Sequence, residues 1–125
     1  MRMLIALPLS LVLSVAAAAE RGVAAPYGIW MRGDGNARVR IAPCGAKLCA
    51  TNLWIRDPSS GEAVGDRLVM SLAPKGGSTL AGSAFDPKRN LTYALEMQVG
   101  AKRLETRGCI LGQILCKTVS WSRTK

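Results

Sequence analysis

The chain has 125 residues, with 17 Lys and Arg against 8 Asp and Glu, four cysteines and no histidine. That length holds one ordinary domain and not two, and the missing imidazole excludes Ser-His-Asp and Cys-His catalysis and most zinc enzymes. A formal charge of +9 attracts polyanions in general; without a recognisable nucleic-acid module or base-stacking aromatics, nucleic acid is not among the expected partners.

In chain order, the first segment is "MRMLIALPLSLVLSVAAAAE". A basic residue at Arg2, an apolar run from Leu4 to Val15 and small residues at Ala17 and Ala19 predict a secretory signal peptide over 1–19. The run is too short for a membrane span, which takes about 20 apolar residues. The remaining domain, 20–125, is therefore expected to be soluble, exported to the periplasm and monomeric.

Beyond the leader the pattern is period two. Val39 and Ile41 alternate with Arg38 and Arg40; Leu68, Met70 and Leu72 alternate with Arg67, Val69 and Ser71. In "NLTYALEMQV" the residues Leu91, Tyr93, Leu95, Met97 and Val99 face one way and Thr92, Ala94, Glu96 and Gln98 the other. Such alternation belongs to strands with one buried face. Turn signals punctuate them at 32–36, 44–47, 57–62, 74–78, 86–90, 100–102 and 108–113.

The spacing predicts strands near 27–32, 37–43, 48–56, 66–73, 79–85, 91–99, 102–109 and 116–123. Evenly spaced short strands joined by tight turns point to an all-β fold, an antiparallel up-and-down barrel of about eight strands, because closure removes exposed edges. A two-sheet sandwich is the other arrangement such a pattern allows. Residues 57–66 are expected to be the most flexible segment.

Cys44 and Cys49 form C-x4-C, and Cys109 and Cys116 form C-x6-C. An even count in an exported small domain argues for two disulfides. Three pairings are open; the local one, Cys44 with Cys49 and Cys109 with Cys116, is favoured because each pair brackets a chain reversal. Zinc is the competing reading, and C-x6-C is wide for it. No cofactor and no metal are expected.

Gly28-x-Trp30 on the first strand and Trp121-x-Arg123 on the last resemble the signature of the calycins, the lipocalins and their small-barrel relatives. The resemblance implies that Trp30 plugs one end of the barrel and Arg123 packs across it, with Gly28, Trp30, Trp121 and Arg123 serving barrel closure. Most of the chain also resembles the bacterial family called domain of unknown function 2147. The matching features are the Gly-x-Trp start, Pro43-Cys44-Gly45 with Leu48-Cys49, Phe85-Asp86-Pro87 with Tyr93, Arg107-Gly108-Cys109, and Thr118-x-x-Trp121-x-Arg123. That family implies an exported calycin-type barrel and no established activity. The segment 57–78 departs from its pattern, being shorter and more polar.

Little in the chain looks catalytic. Asp57, Asp66 and Asp86 sit beside turn residues and read as turn formers rather than as a paired acid and base. The glycine-rich "GGSTLAG" at 76–82 lacks the lysine and helix of a phosphate loop. No enzymatic activity is expected.

What remains is the barrel interior, which in an eight-stranded barrel is either filled or holds one small ligand. Candidate ligand-lining residues are Val39, Ile41, Met70, Tyr93, Met97 and Leu104, with Leu53, Ile55, Leu72, Leu95 and Val119 as further interior positions. Trp54, out of phase with Leu53 and Ile55, is a candidate surface contact beside Arg56. The expected function is non-catalytic binding of a small apolar ligand or an anionic cell-envelope component. The alternative is a protein-interaction module, an inhibitor or assembly accessory with a filled barrel.

Overall fold

The structure is a computed structural model and describes residues 25–124; the expected leader, 1–19, lies outside the described residues. Eight strands follow one another: β1 (Gly28–Arg32), β2 (Ala37–Cys44), β3 (Lys47–Ile55), β4 (Arg67–Gly76), β5 (Thr79–Asp86), β6 (Leu91–Val99), β7 (Arg103–Ile110) and β8 (Leu115–Arg123). Each pairs antiparallel with the next, and β8 closes on β1 to complete the barrel. The expected all-β, up-and-down architecture is the one observed.

Local chemistry sets the reversals. Gly35, at φ 73°, takes a left-handed conformation that a side chain would strain, and its N–H closes the β1–β2 turn on the Arg32 carbonyl at 2.8 Å. Asp57, Asp66 and Asp86 are turn formers: Asp57 accepts from Ser59 N, Asp66 from Ala63 N, and Asp86 from Lys88 N and Arg89 N. Their carboxylates are thereby committed to backbone donors.

Alternation then sorts the side chains. Trp30 faces Val39 on one side and Arg123 on the other, so all three point inward. The core comprises Trp30, Ile41, Met70, Leu80, Ala84, Leu95, Met97, Val99 and Leu104, with Trp30, Met70 and Met97 the largest side chains sealed from solvent. Sealing each of them contributes roughly 1.5–3 kcal/mol against exposure. At Gly82 a Cβ would run into the Ser71 carbonyl oxygen, so only glycine lets β5 approach β4 this closely.

Cys44 bridges Cys49, and Cys109 bridges Cys116. By the same alternation both disulfides lie on the outer face.

Two expectations need correction. Between Arg38 and Val39 the β2–β3 register shifts: Val39 pairs with Asn52 while Arg38 pairs with Trp54. Leu53 is the extra residue of this β-bulge, so it is not an interior position in phase with Ile55, and Asn52 shares the face of Val39. Nor does 57–66 hang free. Asn36 Nδ2 donates to Asp57 O and Asp57 N to Asn36 Oδ1, Arg32 grips Glu62, and Lys88 pairs with Asp66, tying the segment to the barrel at three points.

Candidate binding site at the plugged end of the barrel

At the start of β1 the chain crosses the end of the barrel as Ala25-Pro26-Tyr27. Trp30 Nε1 donates to the Pro26 carbonyl at 2.9 Å, anchoring this crossing from below. Arg123 anchors it from the side: its Nη1 donates to Tyr27 O at 2.7 Å, its Nε to Ala101 O at 2.8 Å, and its guanidinium lies 4.2 Å from the Trp30 ring centroid. The cation over the indole face is attracted by the ring quadrupole. Gly28 takes φ 133°, a conformation that a side chain would strain, which explains the glycine two residues before the tryptophan; a Cβ there would also press on Arg123 Nη1.

Beside this plug lies a groove of about 360 Å³. Met70 and Leu80 form its buried floor, Leu48 and Leu72 its sides, and Pro26, Tyr27 and Pro43 its walls, with Lys47 at the rim. Apolar floors with a few polar rim groups are typical of small-molecule sites, and the volume is at the lower end of their range. A second hollow of about 480 Å³ opens at the same end among Lys102, Arg103, Ser122, Arg123 and Thr124. Lys47, Lys102 and Arg103 enter no ion pair among the described residues, so this end presents uncompensated positive charge next to an apolar groove.

The opposite end is built differently. Arg32 faces the lumen in phase with Trp30 and donates to both oxygens of Glu62, which also accepts from Asn36 Nδ2 at 3.0 Å and Ser60 Oγ at 2.9 Å. These donors, Arg32 above all, hold the Glu62 carboxyl down at about 2 against the opposing effect of burial. Asp34 is lowered by Arg32 and Asp66 by Lys88 in the same way. Inward residues here are less covered: Tyr93, Val119 and Trp121 are partly buried and Lys117 is exposed.

The candidate residues divide accordingly. Of the lining candidates, Val39, Ile41, Met70, Met97 and Leu104 are buried, and of these Met70 reaches the groove; Tyr93 stands partly exposed near the other end. Trp121 packs on the core and donates from Nε1 to Thr106 Oγ1 at 3.0 Å. Trp54 is partly buried on the outer face, and the cation beside it is Arg38, 5.2 Å from its ring centroid, rather than Arg56, which is exposed at the loop entrance. The four cysteines are spent in disulfides.

Sequence reasoning missed the Arg32–Glu62 contact. The phase of Arg32 with Trp30 was the available signal, since an inward arginine needs a carboxylate. It also missed the walls that Pro26 and Tyr27 supply.

Residues 28–123 match the family described as "Uncharacterized protein conserved in bacteria (DUF2147)". The chain belongs to that family. The match runs from the first residue of β1 to the last of β8, so the DUF2147 segment is the whole barrel, while Ala25–Tyr27, which wall the groove, lie just before it. No curated protein and no solved structure matches the chain.

Proposed function

We propose that the protein is a non-catalytic periplasmic binding protein that takes a small apolar ligand, or the apolar part of an anionic cell-envelope component, at the plugged end of its barrel. One observation carries this reading: the middle of the lumen is filled, and at the plugged end a concave apolar groove stays reachable over Leu48, Met70, Leu72 and Leu80. Lys47 at the rim, with Lys102 and Arg103 nearby in the sequence of the same barrel end, favours an anionic head group by charge. The disulfides and the bacterial family agree with an oxidising compartment outside the cytoplasm.

The test is titration with anilinonaphthalene sulfonate, an anionic aromatic probe whose fluorescence rises in apolar sites. Saturable one-to-one binding is expected, weakened at least about tenfold by Leu48→Arg. Absence of binding, or binding indifferent to that substitution, overturns the reading. Native mass spectrometry of protein purified gently from the periplasm then identifies the natural occupant.

The filled centre also favours a second reading, a protein-interaction module that works through its surface. It leaves the groove empty, and the probe titration separates the two.

A further inference from the structure

The β7–β8 connection reads Ile110-Leu111-Gly112-Gln113-Ile114-Leu115 and is stapled at its base by Cys109–Cys116. Leu111 is 70% exposed, Ile114 84% and Leu115 58%. Exposed turns are ordinarily polar. Here Leu111 and Gln113 both take positive φ, at 56° and 71°, a conformation that costs a branched or bulky side chain energy. Leu91 on the adjoining rim of β6 is a further exposed aliphatic. Three aliphatic side chains are thus held out into solvent by a strained, covalently closed turn.

We propose that this tip is a membrane-docking element that inserts its aliphatic side chains into an anionic phospholipid surface. A second copy of the chain is a poor occupant, because a stable dimer buries roughly 1,200–2,000 Å² and three side chains on a convex turn cannot supply that area. Pairing through a strand edge is closed off by the barrel itself. A bilayer needs no complementary pocket, accepting any aliphatic tip that reaches its acyl boundary.

Charge selects the lipid. Lys117, two residues beyond Leu115, enters no ion pair among the described residues. At this end Asp34 and Glu62 share Arg32, while Asp66 pairs with Lys88 and Asp86 with Arg89. The chain's net charge of +9, already counted after its carboxylates, draws the protein to anionic head groups before the tip inserts. The proposal does not rest on the groove, which lies at the other end of the barrel.

Co-sedimentation of the exported protein with phosphatidylethanolamine–phosphatidylglycerol vesicles tests it, with phosphatidylcholine vesicles alongside. Binding to the anionic vesicles alone is expected. The double substitution Leu111→Ser with Ile114→Ser should weaken it at least about tenfold while leaving the unfolding midpoint in place, since both side chains are exposed. Ile114→Trp should be quenched by brominated acyl chains. Failure to sediment, equal binding to phosphatidylcholine, a double variant that binds like the parent, or an unquenched Ile114→Trp each overturns the proposal. So does a concentration-dependent dimer that the double substitution abolishes, which assigns the tip to a second copy.

Discussion

At one end of the barrel Trp30 is completely buried beneath Pro26 and Arg123, whereas at the other Ile114 stands 84% exposed on a turn closed by a disulfide. Both ends must finish a sheet whose inner face is apolar. The Trp30 end does so with one large ring, a cation stacked on it and a crossing chain, and the groove is the space that this crossing leaves. The Ile114 end uses ion pairs and a tethered loop over β1 to β4, and leaves the β7–β8 side uncovered. The largest sealed ring thus lies at the plug, where stability is expected to be concentrated, and the least covered apolar surface lies farthest from it.

Three measurements can break or sharpen that contrast. The largest effect is expected at the plug: Trp30→Ala should destabilise the protein by about 3–5 kcal/mol, through the cavity it opens and the loss of the Pro26 and Arg123 contacts. Denaturant unfolding measures it, and a loss below about 1 kcal/mol would mean that the plug is not where stability is concentrated.

Next comes the staple of the exposed tip. Replacing Cys109 and Cys116 by serine releases a loop of sequence separation 7, which should cost roughly 2.5 kcal/mol through the entropy of the unfolded chain. The same unfolding experiment reads it; a cost matching that of Trp30→Ala would put the two ends on an equal footing.

The smallest effect belongs to the tethered loop. Because the folded-state value of Glu62 is depressed from 4.5 to about 2, its contact with Arg32 is fully present above pH 4.5 and is lost as pH falls through about 2. Solvent reaches this pair, so the contribution is about 1 kcal/mol. Stability measured against pH should fall more steeply for the parent than for Glu62→Gln between those two values, and parallel curves would show that the loop is held without this contact.

Much of the fold was legible in the chain because β-structure with a single buried face writes itself as alternation. Leu95 to Val99 reads inward and outward correctly, while Leu91, read on the same inward face, is exposed at the rim. The disulfide pairing was favoured for a sound reason, since each cysteine pair brackets a reversal, and both bridges form there. Alternation failed at Leu53, where one inserted residue shifts the phase and nothing in "TNLWI" marks it. The aliphatic tip was partly visible in "CILGQILC" as a turn without charge, yet exposure depends on what packs above it.

The sequence by itself determined a strong positive charge and an alternation that reads as all-β, and it favoured two local disulfides, because these depend on neighbours a few residues apart or on composition alone. Only the tertiary structure decided that the lumen is filled at its centre, that Arg32 closes on Glu62 thirty residues away, and that the reachable groove opens beside the plug. Those outcomes depend on the stagger with which eight strands close, and on how summed side-chain volumes fill the resulting space, neither of which any short stretch of sequence contains.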